Sequence, residues 1–184
     1  MELIHDFNNS LKVEQSQFDK QDKLYFKLFG NKPYRIDYEK YPNVQREDID
    51  LVIKNKEGNP IKISEKYRPI DYNDILLEVY SVFPNKIGWA LESKADILTY
   101  WFPNRVIILD IPKIVDIFES NEITKQMHII DSGKELCSFI INHKTYYFWV
   151  VRARNDTYYS LSVVLKFEHL DKLGINYRVI PLTE

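Results

Sequence analysis

Residues 45–67 read QREDIDLVIKNKEGNPIKISEKY, and the fold turns on whether they form a β-hairpin. Ile49 to Lys54 is rich in β-branched residues, and Glu57-Gly58-Asn59-Pro60 is a turn signal. Ile61 to Tyr67 then resumes with period-two alternation. Two antiparallel strands follow from this. Period two puts Ser64 and Lys66 on one face of the second strand and Glu65 on the other, and groups Asp48 with Asp50 on one face of the first. Ionisable groups inside half-buried strands cost free energy unless they are paired or hold a metal ion. The hairpin is therefore also the place to look for chemistry.

On the N-terminal side, residues 14 to 29 carry Phe18, Leu24, Tyr25, Leu28 and Phe29 in a helical stripe, with Gly30-Asn31 as a C-cap and Pro33 beyond. Tyr34 to Tyr41 alternates loosely and reads as a strand. On the C-terminal side, Pro69 breaks the hairpin and Asp74 to Phe83 reads as a third strand lying alongside it. Gly88 to Phe102 has roughly helical spacing, Val106 to Leu109 is a short buried strand, and Ile111 to Ser120 is a helix with Pro112 at its start. In the last third, Cys137 to Ile141 and Thr145 to Arg152 form a second hairpin through Asn142-His143-Lys144. Leu161 to Phe167 is a strand, and Phe167 to Leu173 is a short helix before Gly174. The expected architecture is α/β with a mixed sheet, in one domain over 1–184: a core from 14 to 120 and a β-rich extension from 121 to 184.

With 184 residues, 45% of them hydrophobic, the chain can bury one substantial core. A net charge of −2 argues against a uniformly basic coat but leaves room for a local basic patch that attracts phosphates. The single cysteine, Cys137, reads as a core residue and fits a reducing compartment. The first residues show neither the basic nor the apolar region of a signal peptide, and no apolar run is long enough to span a bilayer. A cytoplasmic protein without a membrane partner is expected, and a homodimer is compatible with the composition.

Hydrolysing a phosphodiester requires an activated water and neutralisation of the charge that builds on the phosphate. A magnesium ion held by one or two carboxylates and the substrate phosphate supplies both. A nearby lysine positions the water and stabilises the transition state. Asp48, Asp50, Lys66 and Glu78, the acid inside Ile75-Leu76-Leu77-Glu78-Val79-Tyr80, supply these residue types. In this arrangement, and in its order of elements, the chain over roughly 14–120 resembles the PD-(D/E)xK nuclease superfamily, whose restriction-endonuclease-like fold has an αβββαβ core. Asp50 matches the aspartate of the first motif and Lys66 the lysine of the second. Gln45, Glu65-Lys66, Glu78 and Gly88-Trp89 resemble a phage- or mobile-element-type branch.

The resemblance implies a Mg²⁺- or Mn²⁺-dependent enzyme acting on DNA. Asp50 and Glu78 would be metal ligands, Asp48 an accessory ligand, Lys66 catalytic, and Gln45, Ser64 and Glu65 accessory. It also implies a departure, because Ser64 stands where the second motif places an acid. Glu78 could supply that carboxylate from the next strand. Alternatively the motif is Glu78-Val79-Tyr80, with Lys94 substituting for its lysine. A catalytically inactive descendant that binds nucleic acid or protein is the rival expectation.

Other signals are weaker. Lys86, Lys94, Arg152 and Arg154 are candidate phosphate contacts, set against ordinary solvated surface. Trp89, Tyr100, Trp101, Tyr146, Tyr147, Trp149, Tyr158 and Tyr159 are candidate base-stacking residues, set against core packing. Glu14 and Asp22 are candidate extra acids on the first helix. His5, His128, His143 and His169 lack zinc-ligand spacing, and no glycine-rich phosphate loop or nucleophile elbow is present.

Overall fold

The structure, a computed structural model, describes residues 18–131 and 136–182. Glu14, His5 and the first residues of the expected first helix lie outside the described residues, as does the side chain of Gln45. The first half of the chain forms α1 (Phe18–Phe29), β1 (Tyr34–Arg35), α2 (Pro42–Arg46), β2 (Leu51–Lys54), β3 (Pro60–Tyr67), β4 (Asp74–Val82), β5 (Lys86–Ile87) and α3 (Trp89–Glu92). The second half forms β6 (Ile97–Trp101), β7 (Arg105–Asp110), α4 (Ile111–Ser120), α5 (Ile123–Asp131), β8 (Leu136–Ile141), β9 (Lys144–Arg154), β10 (Tyr159–Lys166), α6 (Phe167–Leu173) and β11 (Tyr177–Pro181). No helix among the described residues is long and apolar enough to cross a membrane.

The strands make two sheets. A mixed six-stranded sheet runs β1-β2-β3-β6-β7-β11, and an antiparallel five-stranded sheet runs β5-β4-β10-β9-β8. The class is α/β with a mixed sheet, as expected. The hairpin at the centre of the sequence forms as read, with Leu51 opposite Ile63 and Lys54 opposite Pro60. Helix α1 closes at Gly30 in the left-handed region (φ 78°). The second hairpin turns through Asn142 and His143, both at positive φ, as a tight hairpin turn requires. Helix α4 opens under an Asp110 side chain that accepts a hydrogen bond from the Lys113 amide at 3.1 Å. Helix α6 ends on Gly174 at φ 64°.

Three expectations are corrected. First, residues 97–101 are strand β6, paired parallel to β3, and the helix before them is a single turn ended by Ser93. Four of the five residues of β6 are buried, so the strand is covered on both faces, and its run of mostly apolar residues imitates helical spacing. The β-branched and aromatic composition of Ile97-Leu98-Thr99-Tyr100-Trp101 is the better guide. Second, β4 does not lie beside β3. The connection 68–73 leaves the first sheet, tied down by the Arg68–Asp74 and Arg105–Asp71 ion pairs, and delivers β4 to the second sheet between β5 and β10. Third, the strand expected over 34–41 shrinks to two residues, and Pro42–Arg46 forms a helical segment.

The main core lies between the sheets and under α4–α6, built from residues such as Leu77, Val79, Leu98, Phe118, Phe139 and Leu161. Cys137 is part of it, 1% exposed, and burial pushes its thiol up to about 12, so it is not a nucleophile near neutral pH. A smaller cluster on the opposite face of the first sheet packs Tyr25 of α1 against Leu51, Ile53, Ile63, Trp101 and Val106. Tyr100 and Trp101 are core residues, whereas Tyr147 and Trp149 are exposed on the outer face of β9.

Candidate active site

The side chains of β3 divide between the two faces of its sheet. Ser64 and Lys66 face the turn between α2 and β2. Lys66 Nζ lies 2.5 Å from Asp48 Oδ1, and the Ser64 hydroxyl donates to Asp48 Oδ2 at 2.7 Å. Glu65 points the other way and is 8% exposed. It accepts from Arg35 Nη1 at 2.6 Å and from the Tyr25 hydroxyl at 2.8 Å. Arg35 in turn reaches Asp22 at 2.8 Å and Gln21 at 3.0 Å. Asp22 and Glu65 therefore belong to the network that seats α1 on the sheet, and Glu65 stands apart from the Lys66 cluster.

Asp48 and Asp50 do not share a strand face, because neither lies within β2. Asp48 sits just before it in the left-handed region (φ 55°), a conformation that a short polar side chain tolerates. This turns its carboxylate onto β3. Asp50 directly precedes β2 and accepts from the Glu65 amide at 2.5 Å and from the Tyr38 hydroxyl. Asp50 thus clamps the backbone of β3, while its charge still acts on Lys66.

Glu78 arrives from the second sheet, opposite Ser162 on β10. Among the described residues its carboxylate has no direct hydrogen-bond or ion-pair partner. It feels Lys66, Asp48 and Lys86, so the strand that left the first sheet still brings its acid to the same place. Burial pushes the Glu78 carboxyl above its ordinary range; Lys66 and Lys86 pull it down and Asp48 pushes it up, and burial prevails. For Lys66, burial disfavours the ammonium, but Asp48, Asp50 and Glu78 outweigh it and raise its pKa.

Asp48 and Glu78 line one cleft of about 960 Å³, with Arg46, Ser81, Lys86, Trp89 and Lys94 among its other walls, and Lys66 reaches it through Asp48. Two of the expected phosphate contacts, Lys86 and Lys94, line it. Arg152 and Arg154 are on β9 and do not line the cleft; Arg152 bonds the Ile130 carbonyl and covers the Tyr159 ring. Lys66 lies 5.4 Å from the Trp89 ring centroid. Tyr38 and Arg35 were not among the expected site residues: both act across long sequence separations, and neither carries a local motif.

Gly88 allows Glu78 to approach. A Cβ at Gly88 would lie 2.7 Å from the Glu78 carbonyl carbon and 2.8 Å from its Cγ, closer than packed atoms come. Gly88→Ala is expected to push α3 off β4 and cost stability in the overpacking range of about 1–3 kcal/mol. Urea titration checks this, and an unchanged midpoint would contradict the close approach.

An ionised carboxylate whose pKa is raised on folding costs stability as pH climbs through that raised value. Glu78→Gln is therefore expected to raise the Tm of the metal-free protein at about pH 7. It should leave Tm unchanged near pH 3, where the carboxyl is protonated in both folded and unfolded states. Calorimetric scans at the two pH values test it, and a lower Tm at neutral pH would contradict the penalty.

No family model, curated protein or solved structure matches this chain. The chemistry of the cleft rests on its own side chains. They present hard oxygen donors, which suit Mg²⁺ or Mn²⁺ over softer metals. Among the described residues no three of His, Cys, Asp or Glu converge closely enough to cage a metal unaided, so Asp48, Asp50 and Glu78 do not form a ready-made three-carboxylate cage. Magnesium commonly takes only one or two protein carboxylates together with substrate phosphate and waters. Asp48 and Glu78, on one cleft and within each other's field, fit that pattern.

Proposed function

We propose that this chain is a Mg²⁺- or Mn²⁺-dependent nuclease of the PD-(D/E)xK type that hydrolyses DNA. The observation that carries the reading is the charge balance at Lys66. Three carboxylates, Asp48, Asp50 and Glu78, act on the Lys66 ammonium and Lys86 offsets only part of the Glu78 charge, which leaves a negative surplus that a divalent cation would neutralise. The order of elements supports the family. Helix α1 precedes the antiparallel run β1-β2-β3, and β6 returns parallel to β3, with β4, β5 and α3 in the crossover.

Asp48 and Glu78 would hold the metal, and Asp50 would act behind them by fixing β3. This reverses the order of Asp48 and Asp50 expected from the motif. A metal held there would lower the pKa of a bound water and neutralise phosphate charge. Lys66 orients the attacking water and donates to the phosphate oxygen as its charge grows. Lys86 and Lys94 hold the flanking phosphates in the cleft. Water adds across the P–O bond, giving a phosphate monoester and a free hydroxyl.

A second reading, a binding module that has lost its chemistry, draws on Ser64. A neutral hydroxyl occupies the place of an acid, and with Lys66 it engages both oxygens of Asp48. Incubation with Mg²⁺ or Mn²⁺ and single-stranded, duplex and branched DNA separates the two. Metal-dependent cleavage that is lost in Glu78→Gln supports the nuclease. No cleavage of any DNA favours the binding module, and cleavage of RNA alone would contradict DNA as the substrate.

A further inference from the structure

We propose that a groove beside the edge strand β1 seats an unpaired nucleobase of the strand whose phosphate enters the cleft, which makes single-stranded or base-flipped DNA the substrate class. This rests on the nuclease reading of the cleft. The groove has a volume of about 570 Å³, with Val44 and Val52 among its walls and Tyr34, Tyr41, Lys32 and Lys54 around them. Tyr34 and Tyr41 are 60% and 48% exposed. Among the described residues neither ring stacks on another aromatic ring. Apolar walls, two open aromatic faces and two ammonium groups are the elements of a base-stacking platform that also holds backbone phosphates. Among the described residues no carboxylate lines the groove, so its charge suits a polyanion.

The groove adjoins the cleft through one short element. Tyr41, just before α2, and Val44, at its middle, line the groove, and Arg46, Glu47 and Asp48, at and beyond its end, line the cleft. The five residues of α2 span about 7 Å at the helical rise. A paired base is held in its stack and cannot turn into a side groove while its strand occupies the cleft, whereas an unpaired or flipped base can.

The test uses the full chain in EDTA, so that binding is read without cleavage. The probe is an oligodeoxynucleotide carrying 2-aminopurine, offered single-stranded, as a duplex, and as the RNA counterpart. The single strand is expected to bind at least about tenfold tighter than the duplex, with quenching of the 2-aminopurine. Tyr34→Ala and Tyr41→Ala are each expected to weaken binding about tenfold and relieve the quench, while Tyr34→Phe and Tyr41→Phe retain both. Tyr72→Ala, which removes another exposed tyrosine, should change nothing. Glu78→Gln should keep single-strand binding while losing cleavage when metal is restored. The groove assignment is overturned by alanine variants that bind like the native protein, by equal affinity for duplex, by tighter binding of RNA, or by no binding at all. Native-like base quenching with no cleavage under any metal would sink the nuclease reading and leave the groove standing.

Discussion

Lys66→Met is expected to lower DNA cleavage by on the order of 10²–10⁴-fold while leaving Mn²⁺ binding intact or tighter. The two effects separate because the ammonium pairs with Asp48 in the structure and has a second role in the proposed reaction. At rest it lies 2.5 Å from Asp48, on an oxygen that the metal would share. Removing it leaves Asp48, Asp50 and Glu78 without their common cation and makes the site more attractive to a dication. In the proposed reaction the same ammonium would orient water and meet developing negative charge, and methionine can do neither. A single-turnover cleavage assay beside Mn²⁺ calorimetry reads both effects. Loss of metal binding in Lys66→Met would show that the lysine only props the fold, and undiminished cleavage would remove it from the mechanism.

Glu65→Ala is expected to cost about 3–5 kcal/mol, because it leaves Arg35 and the Tyr25 hydroxyl without their acceptor in a buried setting. Against the 5–15 kcal/mol that holds a typical domain together, that is a large fraction. Glu65 is the hub of the polar layer beneath α1: Tyr25 also lies 2.7 Å from Thr99 Oγ1, and Trp101 Nε1 donates to Thr99 at 3.3 Å. Replacing these three residues by apolar ones (Glu65→Leu, Arg35→Met, Tyr25→Phe), with Gln21→Leu to remove the amide that Arg35 satisfies, should recover much of the loss, since a buried ion pair often contributes little beyond an apolar equivalent. Urea unfolding of the single and quadruple variants measures both. A Glu65→Ala protein as stable as the native one would contradict the assignment of Glu65 to structure.

Where local chemistry decides an element, the sequence was sufficient. Gly58-Asn59-Pro60 turns the first hairpin, Asn142-His143 the second, Gly30 and Gly174 stop helices, and Pro112 starts one. Alternation alone separated Ser64 and Lys66 from Glu65. Partnership between distant strands was not readable: nothing within Asp74–Val82 states that it joins β10, nor within Ile97–Trp101 that it runs parallel to β3. The same limit shaped the view of the site. Glu78 stood out because an acid inside an apolar strand is costly. The relative roles of Asp48 and Asp50 depend on one left-handed residue and on Tyr38, and neither leaves a trace in composition or period.

The claim that Asp48, Glu78 and Lys66 form a metal-dependent cleft is tested most directly by titrating Mn²⁺ into the native protein, Asp48→Asn and Glu78→Gln by calorimetry. The account predicts one Mn²⁺ site in the native protein, lost or weakened at least about tenfold in each variant while both remain folded. Native protein that takes up no Mn²⁺, or variants that bind it as tightly as the native chain, would contradict it.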